Sequence, residues 1–410
     1  MILAETGEIR RVRGRQGRGR GELPLLMAAH FTNDIYSNFL PAYIPQLIAK
    51  FSLSLALAGA ASSIYTTISS FAQLFFGYAG DRLFGLRLRL AFIAPLITVV
   101  FMSAVGAMPS YPLVLGLLCL ASLGTASFHP PGAALAGRAS REHKGLSVSI
   151  FIAAGSLGYA LGPPLATGFI ALAGFERSYL LALPALALAA LLLKESRPRL
   201  KAGLPNLREG REEREGRPDR SGLPSRALLP LLPLTLTVTL RHTVQLVFIT
   251  FLIVLLEERG LSRLAGSLIL ALSLIAGTAG TILGGHLSDR FGRRPVAALT
   301  LALAFPLYFG FLHTTGAVSF SFLALGWVLA AASNPVIVTQ AQELTPGHAG
   351  MASAFTMGFG WGIAGLLVSL VGWLADTFGL TRSLNWTILA LPIAAAISLI
   401  SREGLSPDPE

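Results

Sequence analysis

Apolar stretches about as long as a membrane is thick recur along this chain, separated by short clusters of Gly, Pro, Arg and Asp. A bilayer core of about 30 Å calls for about 20 apolar residues per helix. On that ruler spans fall at 24–47, 55–79, 88–108, 112–136, 146–173 and 178–194, then at 228–256, 263–287, 295–313, 317–341, 350–374 and 383–401. The pattern predicts an all-α integral membrane protein with twelve transmembrane helices in two pseudo-symmetric six-helix bundles. Its expected parts are a basic tail (1–22), a first bundle (23–194), a linker (195–227), a second bundle (228–402) and a short tail (403–410). One segment argues locally for a strand: Leu234 to Leu240 reads LTLTVTL, a period-two alternation. A lone strand in hydrocarbon leaves backbone groups unpaired, so the solvent imposes a helix there.

Composition agrees with lipid as the solvent. The chain is 53% hydrophobic and 13% charged, about half the charge of an ordinary soluble domain. The single cysteine, Cys119, sits in an apolar run and can form no intrachain disulfide. A net charge of +11 raises nucleic-acid binding as a class, but the excess lies in Arg10 to Arg20 and Lys194 to Arg226, without interleaved aromatics. Basic segments beside membrane spans answer instead to anionic headgroups and cytoplasmic retention. With alternating spans, all but six of the 32 Lys and Arg share the side of the amino terminus. Lys50, Arg177, Arg259, Arg263 and Arg382 fall on the other side and Arg241 within a span, which predicts cytoplasmic termini in an inner membrane. The first apolar run is too long for a signal peptide and has no small-residue cleavage site, so it reads as a retained helix.

The halves align at a displacement of about 205 to 208 residues, as a duplicated unit would. GYAGDR (Gly77 to Arg82) meets GHLSDR (Gly285 to Arg290), His129-Pro130 meets Asn334-Pro335, and His143 and Gly145 meet His348 and Gly350. At these residues the sequence resembles the major facilitator superfamily over essentially its whole length. That family's loop between second and third helices carries GxxxDRxGRR. Gly285, Asp289, Arg290, Gly292, Arg293 and Arg294 match it fully. Gly77, Asp81 and Arg82 match in the first half, where an extra residue displaces Gly85, and Arg87 and Arg89 replace the arginine pair. The resemblance implies a breakable cytoplasmic gate: Gly for close helix approach, Asp to hold an arginine or a helix amino terminus, arginines at headgroup level. The alternative is a plain topology signal. Within the superfamily, HFTNDIYSNFLPAYIP (His30 to Pro45) and the passage from Phe128 to Ala166 resemble the fosmidomycin resistance protein family of drug exporters, with departures at Pro131 and Gly132. Gly158, Gly162 and Pro163 resemble the GxxxGP helix-packing element of exporters, though Ala166 and Thr167 replace its closing glycine pair.

Polar residues inside spans carry the candidate chemistry. His30, Asn33, Asp34, Ser37 and Asn38 share one helix face, and an Asp at the bilayer centre costs about 2.5–3.5 kcal/mol on insertion scales. This face either lines a cavity or glues the bundle, and Pro41 and Pro45 are expected to bend the rest of the span. The matching seventh span carries Arg241, His242 and Gln245, with Arg241 too far from either end to snorkel. An Asp34–Arg241 pair between the halves, direct or through water, is the least costly expectation. His129 precedes two prolines, which should displace it from helical geometry as a ligand group or as a satisfied kink residue. The expected roles are proton coupling by Asp34, Arg241 and His30, and a substrate cavity lined by Asn33, Tyr36, Asn38, His129, His242, Gln245 and Asn334. Spans 1, 4, 7 and 10 should be innermost. Gly360, Gly362 and Gly365 spell GxGxxG without a preceding strand, and neither zinc spacing nor an ATP loop occurs, so no metal or cofactor is expected. The whole predicts a monomeric, proton-coupled exporter of a small molecule by alternating access. Uptake symport of a small organic anion, and a membrane sensor or enzyme on the same scaffold, are the alternatives.

Overall fold

The computed structural model describes residues 23–82, 84–137, 144–188, 190, 229–345, 352 and 354–401. The tail 1–22, the linker 195–227, the tail 403–410, His143, His348 and Gly350 lie outside the described residues, as do the side chains of Asp81, Arg82, Arg87 and Arg89. Ten helices among the described residues are long and apolar enough to cross a membrane by length and composition. The sixth expected span begins with a 3-10 segment, Phe175–Leu181, continues as helix over residues 182–188, and ends outside the described residues. The first is broken rather than bent. Leu23–Ser37 and Leu40–Phe51 are separate helices joined at Asn38 and Phe39, because Pro41 opens the second piece where a missing N–H is tolerated.

The LTLTVTL segment is helical within Leu232–Glu258. Its threonines, and Thr243 just beyond it, turn their hydroxyls onto carbonyls one turn back, Thr235 onto Leu231, Thr237 onto Pro233, Thr239 onto Thr235 and Thr243 onto Thr239, at 2.8–2.9 Å. Each polar side chain is thereby satisfied without leaving its own helix. The fourth span also stays helical from Tyr111 to Ala136 through Pro130 and Pro131, so His129 is not displaced from helical geometry. The eleventh span enters through a π-helical turn, Ala354–Phe359, before Gly360–Phe378.

Packing repeats between the halves. The third span packs on the fourth as the ninth packs on the tenth, the second on the fourth as the eighth on the tenth, and the first on the fifth as the seventh on the eleventh. The edges that join the halves, second to eleventh and fifth to eighth, exchange under the same twofold relation. The seventh span is the most enclosed, with 83% of its apolar stretch buried. The fourth and tenth, at 56% and 50%, are no more buried than the third and ninth, so burial does not single them out as innermost.

One seam joins the halves at several levels. Gly362 and Gly365 leave no room for a side chain against Phe71 and Thr67 of the second span, which accounts for the GxGxxG spelling as helix packing. Thr67 Oγ1 donates to the Gly362 carbonyl at 3.1 Å, Ser369 N donates to Ser63 Oγ at 3.0 Å, and Ser369 Oγ donates to the Ala56 carbonyl at 3.2 Å. On the face opposite the Gly285–Arg294 loop, the amides of Leu55 and Ala56 donate to the two carboxylate oxygens of Asp376 at 2.6 and 2.9 Å.

Candidate functional site

Asp34 lies in the first helix at 8% exposure, with histidines on two sides. His30, one turn earlier, brings Nε2 to 3.2 Å from one carboxylate oxygen, and His129 of the fourth span brings Nε2 to 3.5 Å from the other. Asn33 Nδ2 donates to Asp34 at 2.9 Å, Thr98 of the third span donates to Asn33 Oδ1 at 3.0 Å, and Thr98, Thr125 and Tyr65 continue the chain at 3.2 and 2.8 Å. Four spans of the first half are thus tied to one carboxyl group. The fifth adds the support for His30: its ring stacks on Phe151 with centroids 4.1 Å apart, and a side chain at Gly155 would occupy the space of the imidazole.

The chemistry of this arrangement follows from one contact. His30 Nδ1 lies 2.8 Å from the Phe151 carbonyl oxygen, which can only accept, so Nδ1 carries a hydrogen. In a neutral imidazole Nε2 is then a bare acceptor facing the Asp34 carboxylate, another acceptor. A single proton between them resolves the conflict. The donor atoms of His30, Asp34 and His129 all lie within 4.8 Å of one another, close enough to surround one small cation. One proton meets that need, and no metal is assigned.

Arg241 does not meet Asp34. It is 4% exposed, donates from Nε to the Ala330 carbonyl at 2.9 Å and from Nη2 to Gln245 Oε1 at 2.8 Å, and approaches His242 Nε2 at 2.7 Å. His242 Nδ1 donates to the Val238 carbonyl at 2.9 Å, and its ring lies 4.3 Å from Trp361. The expected pair between halves is replaced by two separate clusters, since a partner one helical turn away is available to each group: His30 to Asp34 and Gln245 to Arg241. Among the described residues no acidic side chain pairs with Arg241, although a buried guanidinium is costly without a counter-charge.

The other expected cavity residues divide. Tyr36 OH donates to the Leu181 carbonyl at 2.5 Å and Asn38 Nδ2 to the Tyr159 carbonyl at 2.7 Å, so both side chains are committed to the backbone of their own half. Asn334 keeps its Oδ1 buried without a partner, and the Trp361 indole N–H is likewise unpartnered. Thr98, Thr125, Tyr65 and Phe151 escape a reading of the sequence, because hydroxyls are common in spans and a carbonyl has no sequence signal.

At the loop Gly285–Arg294, Arg293 reaches Asp289 at 2.5 Å, Ser288 at 2.7 Å and Glu343 at 3.2 Å, Arg290 lies over Phe291, and Arg294 donates to the Leu399 carbonyl. These partners all belong to the second half. The motif glycine is not the point of close approach. A side chain at Gly285 would meet nothing within 4 Å, whereas one at Gly284 would run into the backbone of Ala332. Gly77 has only ordinary contact with Pro130, at 3.7 Å. Gly158 and Gly162 do lie against backbone, the carbonyls of Phe31 and Ile35 in the first helix, and Pro163 is accommodated within the helix Lys144–Ala173.

Comparison with known proteins agrees with this architecture. Residues 26–369 and 234–407 match the family model described as Major Facilitator Superfamily. The chain is 29% identical over 372 residues to the fosmidomycin resistance protein of Escherichia coli (strain K12), covering 87% of this chain and 86% of that one. It is 26% identical over 382 residues, 92% of each chain, to the uncharacterized MFS-type transporter YfnC of Bacillus subtilis (strain 168). Among solved structures it resembles a bacterial homologue of the human lysosomal transporter Spinster, inward-facing and unoccupied, with TM-score 0.76, 17% identity and coverage of 94% and 97%. A D-xylose–proton symporter gives TM-score 0.72 at 16% identity, with 93% and 97% covered.

Proposed function

Because the chain belongs to the major facilitator superfamily, a family of transporters rather than enzymes, we propose that it exports a small molecule in exchange for protons by alternating access. The supporting observation for proton coupling is the His30–Asp34 contact, which needs one proton in this conformation and is enclosed by the helices of one half. Export is supported by the name of the Escherichia coli relative, a resistance protein. The basic-residue count supports a cytoplasmic position for the Gly285–Arg294 loop and both termini, and the bacterial relatives support an inner membrane. Arg241, buried without an acidic partner among the described residues, is suited to receive an acidic group of the substrate, with His242, Gln245 and Asn334 around it. Alternating access would then bring substrate anion and proton, held on opposite halves, into the same cavity in turn. The expected unit is a monomer built of residues 23–194 and 228–402, with the loop of Gly285, Asp289, Arg290, Arg293 and Arg294 and its counterpart at Gly77, Asp81 and Arg82 gating the cytoplasmic side.

Everted membrane vesicles test the direction and the coupling together. With the lumen acidified, an antiporter draws substrate into the vesicle and releases lumenal protons when substrate is added outside. A panel of acidic and neutral compounds, chosen by the survival of a sensitive host expressing the chain, supplies the substrates. Proton entry into the lumen together with substrate would establish symport and overturn the reading.

A further inference from the structure

Each ion pair between described residues joins groups of a single half: His30 and His129 with Asp34, Lys50 with Glu176, Arg263 with Glu257, and Arg293 with Asp289 and with Glu343. Asp376 is different. It ends the eleventh span, in the second half, and its carboxylate takes the first two amides of the second span, in the first half. Those amides have no acceptor within their own helix, and the positive end of the helix dipole favours a carboxylate there. Capping of this kind is ordinarily local. The eighth span, which the repeat places opposite the second, is capped from within its own loop by Ser262, whose Oγ accepts from Ala265 N at 3.2 Å. Ser54 caps the second span in the same way, its Oγ accepting from Leu57 N at 3.3 Å, and the first two amides go in addition to Asp376. A local cap has been extended by a carboxylate from the other half.

We propose that Asp376 is the latch that holds the halves together on the face opposite the Gly285–Arg294 loop. Behind it the seam is tightened by Gly372, where a side chain would strike the Leu55 carbonyl, and by the Ser369 bonds to Ser63 and Ala56. The latch is one-sided: at the fifth-to-eighth edge the eighth span keeps its Ser262 cap, and among the described residues no carboxylate from the first half joins it. Opening of this face therefore begins with withdrawal of the Asp376 carboxylate from Leu55 and Ala56, and the second-to-eleventh seam separates after it. This device is independent of which ion drives transport.

Spin labels at Ser110→Cys and Thr315→Cys, on equivalent loops of the two halves at that face, with Cys119→Ser in the background, report the opening as a distance distribution in the full-length protein. Asp376→Asn keeps one acceptor and removes the charge, so the ratio of long to short distances should rise about fivefold, as when a charge-assisted bond becomes a neutral one. Leu55→Pro deletes one donor from the other side at a first-turn position where proline is tolerated, and should shift the distribution the same way without any change of charge. Asp376→Glu, which retains the carboxylate, should remain nearer the parent. A parent-like distribution in both Asp376→Asn and Leu55→Pro, in protein that elutes as a single folded species, would overturn the proposal.

Discussion

Two adjacent glycines, Gly284 and Gly285, should respond to alanine in opposite directions. Gly284 faces the tenth span so closely that a Cβ would lie 2.6 Å from both Cα and C of Ala332, with the carbonyl oxygen nearer still. Ordinary carbon–carbon contact is about 3.5–4.0 Å, so the eighth and tenth spans must part by about 1 Å to admit the methyl group. Gly280 and Gly277 lie on the same line against Val328 and Trp327, and parting at one point loosens all three. Overpacking of this kind costs about 1–3 kcal/mol, of which better helix propensity returns at most about 1 kcal/mol. Gly285, with nothing within 4 Å of its prospective Cβ, receives the propensity gain without the clash, about 0.5–1 kcal/mol. Thermal unfolding in detergent, followed on the purified variants under one set of conditions, should show Gly284→Ala melting below the parent and Gly285→Ala at or above it. Equal loss of stability in the two variants would mean that the motif glycine itself is the contact, and would refute the packing argument.

Asp34→Asn should abolish accumulation driven by a pH gradient in proteoliposomes while counterflow exchange persists. With one proton per cycle, the parent can reach about tenfold accumulation per pH unit. An Asn variant that still concentrates substrate would make Asp34 structural and turn attention to His129. His30→Gln places permanent amide donors near Asp34 where an exchangeable proton had been, so the pH profile of exchange should flatten; an unchanged profile would argue against a shared proton. Arg241→Lys loses the planar fork that spans the Ala330 carbonyl and Gln245, and KM should rise about tenfold or more for acidic substrates with little change for neutral ones. An equal rise for both classes would show that Arg241 only shapes the cavity.

The bundle was legible in the sequence because lipid permits so few structures: apolar length, basic asymmetry and the repeat determine helix number and pairing almost without side-chain detail. The polar stripe was legible too, since His30, Asn33 and Asp34 have no inexpensive place in a span except against other protein. What the stripe bonds to was not legible. The repeat sets Arg241 opposite the polar stripe of the first span and suggests a pair between halves, yet pairing is decided by side-chain reach, and Gln245 lies one turn away from Arg241 as His30 does from Asp34. Motif spelling misled by one residue at Gly285, because the rotation of the eighth span places Gly284 against its neighbour. Asp376 carries no motif at all. Its partners are two backbone amides more than three hundred positions away, which only the folded chain brings together.

The interruption at Asn38 and Phe39 also bears on how the protein is made. The two pieces of the first span, 15 and 12 residues long, extend about 22 and 18 Å at 1.5 Å per residue, and neither alone crosses a bilayer core of about 30 Å. The longer piece further carries Asp34, with its insertion penalty, before any companion helix has been synthesised. The second span has the lowest mean hydropathy of the ten spanning candidates, 1.2, and the third has the highest, 2.2. These hydropathies lead to the expectation that the helix emerging third anchors this half, with the first held once Thr98 and His129 arrive to satisfy its polar face. Order of synthesis and order of integration would then differ, and the residues proposed to carry the proton are those that a translocon releases into lipid least readily.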